Sequence, residues 1–203
     1  MRNLLEIARE LVAAIEAQEN ENNVKQIALG DLQPGDRFNS ELGKFIVLDH
    51  DVNSGCTKVI LDNFLEEDVQ FDEGTCDYTK SALREKFDGE ITEKFETVFG
   101  EHLVEHEVSL VSVDMQDYGK FNCKVRPITF DEAREFNSLI VKKELPDYWW
   151  TCTPWSTEER GWKYSVTVVY PSGCIGRYDC GNDGGVRPVC ILKSNLFVSK
   201  VEA

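Results

Sequence analysis

The most tempting chemistry is the run His102-Leu103-Val104-Glu105-His106, which has H-x-x-E-H spacing. On a helix this spacing sets two imidazoles on one face, with the glutamate placed to activate a metal-bound water. The surroundings do not supply that helix. Gly100 ends a helical pattern two residues earlier, and Val108 onward alternates as a strand. The motif therefore reads as loop histidines, and with His50 it accounts for all three in the chain. Asp179, Asn182 and Asp183 lie in a glycine-rich stretch and carry oxygen donors suited to calcium. Ordinary Asx turns use the same residue types. The seven cysteines include no C-x-x-C pair, and Cys174, Cys180 and Cys190 lack the spacing of a zinc knuckle or ribbon. They read as reduced structural thiols. No nucleophile elbow, P-loop or dinucleotide fingerprint occurs. These residues point to no catalytic group, no resident metal and no cofactor.

Aromatic density is the other signal. Three of the four tryptophans, Trp149, Trp150 and Trp155, fall within seven residues, and Trp162 follows closely. Such density marks either the centre of a core or a binding face. Trp155, Trp162 and Tyr164 could stack on a ligand, while others must be core.

The elements that would position these residues are short. Leu4, Ala8, Leu11 and Ile15 predict an amphipathic helix over 3–17, within an N-terminal unit 1–20. It is a candidate for self-association or partner attachment. Residues 21–31 read as a linker, and 32–203 as a single α+β domain whose core lies mainly in 120–198. Phe45-Ile46-Val47-Leu48-Asp49-His50 and Thr57-Lys58-Val59-Ile60-Leu61 form a hairpin around Asn53-Ser54-Gly55. Val69 to Phe71 gives a short strand. Asp77 or Thr79 would cap a helix from Ser81 to Phe87 that stops at Asp88-Gly89, and a second runs from Thr92 to Phe99. Glu105 to Val113 is extended. Thr129 with Glu132 makes a capping box for a helix through Phe136. Strands are expected over 162–170, 174–178 and 186–192, with a loop at 179–185. Small helices, several hairpins and no βαβ rhythm define an α+β class.

The net charge is −15 over 203 residues. No basic stripe is available to displace counterions from phosphates, which argues against direct binding to nucleic acid. No apolar run approaches the roughly 20 residues that span a membrane. The first residues lack the apolar core of a secretory signal, so a cytoplasmic location is expected. The acidic surface serves solubility, or it imitates nucleic acid towards a basic partner.

At Tyr148-Trp149-Trp150-x-x-Thr153-Pro154, Gly173 and Gly185-Val186-Arg187-Pro188 the chain resembles the domain of unknown function 6273, a family of gut Firmicutes and their phages. Ser81-Ala82-Leu83-Arg84 and Ile128-Thr129-Phe130-Asp131-Glu132-Ala133 resemble two further elements of it, so the likeness covers roughly residues 32–198. Thr151-Cys152 stands where the family carries Leu-Arg. The C-terminal half is similar to the C-type-lectin-like fold, which includes formylglycine-generating enzymes and the variable proteins of diversity-generating retroelements. The resemblance implies a structural signature of Trp149, Trp150, Pro154, Gly185, Arg187 and Pro188. Arg187 would bond backbone carbonyls or stack on Trp149 or Trp150. It also implies a ligand surface ahead of the last strand.

The expectation is a non-enzymatic, phage- or prophage-encoded recognition protein, cytoplasmic or virion-associated, with a protein or glycan ligand. Its binding face would comprise Trp155, Trp162, Tyr164, Arg177, Tyr178, Asp179, Asn182 and Asp183. The alternatives are an acidic anti-defence inhibitor of a basic host protein and an enzyme of the formylglycine-generating kind.

Overall fold

The structure is a computed structural model that describes residues 26–201. The expected helix 3–17 and the first part of the expected linker lie outside the described residues.

The strands are β1 (Gln26–Ala28), β2 (Arg37–Ser40), β3 (Gly43–Asp51), β4 (Cys56–Leu61), β5 (Glu66–Gln70), β6 (His106–Val111), β7 (Asp117–Cys123), β8 (Val125–Pro127), β9 (Trp149–Pro154), β10 (Ser165–Val169), β11 (Ile175–Asp179), β12 (Asp183–Val186), β13 (Pro188–Lys193) and β14 (Phe197–Lys200). The helices are α1 (Ala82–Lys86), α2 (Thr92–Phe99), α3 (Phe130–Glu135) and α4 (Asn137–Ile140). An antiparallel seven-stranded sheet has the order β1-β14-β2-β3-β4-β13-β8, a mixed five-stranded sheet the order β11-β10-β9-β12-β5, and β6-β7 is a separate hairpin. The α+β class is thus realised, with sheet as the dominant component.

The hairpin expected from the apolar runs is β3-β4. Both strands bury both faces, which is why their sequences run apolar without alternating. Phe45, Val47, Val59 and Leu61 face one core cluster, and Ile46, Leu48 and Ile60 the other. On the first side Phe45 stacks on Phe38 at 5.4 Å and meets Phe95 and Phe99 of α2 edge-on. On the second side lie Phe136 and Ile140, carried by α3 and α4. Helix α3 begins at the expected capping box: Thr129 accepts from the Glu132 amide, and the Glu132 side chain reaches back to the Thr129 amide.

Several expectations are corrected. Residues 26–31 are not linker, because β1 pairs with β14 and Leu29 is fully buried. Helix α1 is capped by Ser81, while Asp77 caps the 3₁₀ turn Tyr78–Lys80 before it. As expected, helical geometry breaks at Gly89, and a kinked turn over Phe87–Ile91 leads directly into α2. The strand expected from Trp162 begins only at Ser165, and the loop 179–185 closes into β12 from Asp183. The single closing strand 186–192 is broken at Arg187, where the chain leaves the five-stranded sheet and enters the seven-stranded one. Strands β2, β7, β9 and β14 had no counterpart in the sequence reading. All six residues of β9 are buried, so it shows no alternation, and β7 is half-exposed and polar.

Gly185 has a role that its neighbours define. It lies opposite Trp149 in the parallel pairing of β12 with β9, and its amide donates to the Tyr148 carbonyl. A Cβ there would fall 2.3 Å from the Phe64 ring. Gly185→Ala should therefore force the ring aside and cost about 1–3 kcal/mol by overpacking. Urea denaturation of the variant checks this, and an unchanged midpoint would mean that Phe64 swings out freely.

Candidate functional site

The residues of the aromatic segment divide by side. Trp149 and Trp150 are consecutive in β9 and so point to opposite faces. Trp149 enters the core cluster beneath α3 and α4, and Trp150 the cluster beneath α1 and α2. Trp150 donates to the Val69 carbonyl at 2.7 Å and packs edge-on to Phe71 and Tyr148. Arg187 has no exposed surface. Its guanidinium donates to the carbonyls of Leu61 at 2.8 Å and Ile140 at 2.6 Å, and stacks 4.9 Å from the Trp149 ring. Both interactions expected of it are present, and Trp149 rather than Trp150 is the platform. Burial lowers its pKa to about 10, still far above neutrality. Pro154 and Pro188 are buried at the ends of β9 and β13. In β9 the Thr151 hydroxyl binds Thr167, and burial pushes the Cys152 thiol up to about 12.

The expected binding face clusters around β11, but on two sides of it. Arg177 stacks over Trp162 at 4.4 Å and lies 6.0 Å from the Trp155 ring. Tyr178 is the next residue of the strand and turns to the other face. There it packs 4.6 Å from Tyr148, which also touches Tyr170. Tyr164 is exposed beside Lys163. Asp179 and Asn182 close the turn between β11 and β12. The Asp179 carboxylate accepts from Gly181, and its carbonyl accepts from Asn182. Asp183 uses its carbonyl to accept from the Tyr148 hydroxyl. Arg177, Tyr178, Asp179 and Asn182 line an open concavity of about 450 Å³. Asp179 thus makes an Asx turn, with Asn182 closing back on its carbonyl.

The loop that presents Trp155 and Trp162 is anchored by a residue that the sequence reading missed. Asp114, at the tip of the β6-β7 hairpin, accepts from the hydroxyls of Ser112 and Ser156 and from Arg160. These bonds hold its pKa down at about 2. The Val113 amide also donates to the Pro154 carbonyl. The polar spacing Ser112-x-Asp114 was the available signal, but its partners are 42 and 46 residues away.

A second cluster was also missed. Arg126 is buried and donates to both carboxylate oxygens of Glu132, at 2.6 and 2.7 Å, while Lys58 donates to the same group at 2.7 Å. These cations hold the Glu132 carboxyl well below the usual range against the opposing effect of burial. Beside them His106 donates from Nδ1 to the Val104 carbonyl and accepts at Nε2 from Arg126, with the Cys123 thiol 3.7 Å away. Burial and Arg126 push His106 down to about 4, so the imidazole is neutral at physiological pH. Asp49, Cys56, Lys58, Val104 and His106 line a cavity of about 340 Å³. His102 lies in the 3₁₀ turn Gly100–His102 and His106 opens β6, so the H-x-x-E-H motif has no common helical face. Elsewhere a polar cavity of about 390 Å³ is floored by Cys76 and Tyr118, and burial raises the pKa of both, which keeps them protonated.

No protein-family model, curated protein or solved structure matches this chain.

Two outcomes follow from the buried cluster. Glu132→Gln leaves Arg126 without its countercharge and should cost about 3–5 kcal/mol in denaturant unfolding. The folded protein resists protonating His106 until about pH 4, whereas an unfolded histidine takes up its proton near 6.5. Stability should therefore fall as pH drops through that window. Thermal melts should show a shallower fall in His106→Gln, and equal slopes would remove His106 as the cause.

Proposed function

We propose that the protein is a non-enzymatic recognition protein with a C-type-lectin-like C-terminal half, whose ligand surface is the β11 edge with its flanking loops. The observation that carries this reading is the exposed Arg177 guanidinium stacked on Trp162 beside Trp155, next to an open concavity. An arginine placed over one indole and near a second has already lost side-chain freedom, so it can engage a ligand at little further entropic cost. The braced loop 155–163 keeps both indoles in place without a ligand. Tyr178 and Tyr164 add exposed ring surface, 40% and 48% exposed. Asp179, Asn182 and Asp183 supply acceptors at the end of the strand. The ligand class is a protein or a glycan, and phage or prophage origin with virion association is part of the same reading.

A second reading, an acidic inhibitor of a basic host protein, draws on Glu67, Asp68, Asp147 and Asp183, which line one groove beside Phe64. It demands association with a basic protein that weakens steeply with salt.

Binding to immobilised glycan and peptide panels tests the main reading. Trp162→Ala and Tyr178→Ala should each weaken capture by about 2 kcal/mol, or roughly 30-fold. Binding that survives both substitutions and Asp183→Ala would place the ligand elsewhere. Capture of basic proteins only, abolished by high salt and indifferent to these substitutions, would favour the inhibitor.

A further inference from the structure

The hydrogen-bond parity of β11 narrows the ligand class. Ile175–Asp179 pairs antiparallel with β10 in the register Ser165↔Asp179 to Val169↔Ile175. Just beyond its ends, the Tyr170 amide donates to the Cys174 carbonyl and the Cys180 amide to the Tyr164 carbonyl. Both contacts keep the same register. In an antiparallel ladder, hydrogen-bonded pairs recur at every second residue. Gly176 and Tyr178 therefore direct their amides and carbonyls at β10, and Ile175, Arg177 and Asp179 direct theirs away from it. Among the described residues no strand lies beyond β11, which ends the five-stranded sheet. The outward carbonyl of Asp179 is taken by Asn182, but the amide and carbonyl of Ile175 and Arg177 have no partner among the bonds that close this turn.

Natural sheets blunt exposed edges with proline, bulges, inward-pointing charges or covering loops. Strand β11 lacks the first two: its register is unbroken and it contains no proline, and of its two charged side chains Arg177 lies over Trp162 while Asp179 stands at the end of the strand. Among the described residues, Arg177, Tyr178, Asp179 and Asn182 line an open concavity along this part of the strand.

Resting on the recognition surface described above, we infer that β11 takes an extended, cationic segment of a partner polypeptide as a sixth strand. Only an extended polypeptide offers amides and carbonyls at the repeat of this edge. Its alternate side chains would meet two different walls. One is Arg177 with Trp162 and Trp155, and the other is Tyr178 with Tyr148 and Tyr170. The positive charge follows from complementarity. Asp179 and Asp183 are exposed at the end of the strand, and the chain as a whole carries −15.

The test uses the full-length chain and an array of ten-residue synthetic peptides, alternating apolar and polar residues, in a series graded from lysine-rich to glutamate-rich. The lysine-rich members should bind, and a peptide N-methylated at every second residue should lose ~10-fold or more in one parity and little in the other. On the protein, Arg177→Ala keeps the outward amide and Arg177→Pro removes it. The proline variant should bind ~10-fold more weakly than the alanine variant, with an unchanged circular dichroism spectrum. If the proline variant does not fold, the parity of N-methylation alone decides. Binding that ignores parity, or equal affinity of the two variants, would overturn the added strand and leave the recognition surface standing. Glycan capture with no peptide bound would do the same. A wild-type dimer that Arg177→Pro converts to monomer would make a second copy the occupant, also overturning the proposal. Loss of all binding dependence on Trp162, Tyr178 and Arg177 together would remove the surface as well.

Discussion

A guanidinium with no exposed surface sits where the chain crosses from one sheet to the other, and much of the fold answers to it. Removing an unpaired charge from water is prohibitive, so Arg187 can be buried only with its donors directed at acceptors. The carbonyl of Leu61 at the end of β4 takes Nε, that of Ile140 at the end of α4 takes Nη1, and the face of Trp149 in β9 covers the plane, while Nη2 makes no hydrogen bond. These three groups come from the seven-stranded sheet, the helical layer and the five-stranded sheet. Asp62 stands 3.9 Å away and is itself approached by Lys142 and Arg37. Bringing one side chain to all of them fixes the three layers against one another. A lysine could not replace it, because a single ammonium cannot span two carbonyls and lie flat on an indole.

The second buried arginine serves the same helical layer. Arg126 in β8 and Glu132 in α3 form a two-pronged pair, and the same carboxylate closes the capping box and receives Lys58 from β4. One glutamate thus starts a helix, neutralises a buried cation and ties that helix to the large sheet. The imidazole of His106 beside it stays neutral because burial disfavours its charged form and Arg126 repels it further. The cluster has the residue types of an acid–base site, yet its charged groups are saturated by one another, which suits it to holding layers together.

The surface around β11 is organised differently. The loop carrying Trp155 and Trp162 is held by Asp114 at the tip of the β6-β7 hairpin, which receives Ser156 and Arg160. Among the described residues the strand has one partner, and its two faces present unlike walls, cation and indole on one and tyrosines on the other. A rigid aromatic frame beside unpaired backbone groups suits recognition of an extended chain, where the backbone provides affinity and alternate side chains provide selection.

Much of the local structure could be read from residue order alone. The apolar runs of β3 and β4, the inward phenylalanines of α2 and the Thr129–Glu132 capping box follow from short-range patterning, because their physical causes lie within a few residues. The importance of the Trp149-Trp150 segment and of Arg187 could be read as well, since aromatic density and a charge among apolar neighbours demand a packed solution. The identity of that solution could not. Whether Trp149 or Trp150 receives the guanidinium depends on which face of β9 meets Ile140 and Leu61, and those residues are far apart in the chain. The same holds for Asp114 and its distant partners, and for the division of Arg177 and Tyr178 onto opposite sides of one strand. Which strand ends a sheet is a property of pairing between remote segments, so the open edge of β11 was decided by the tertiary structure alone.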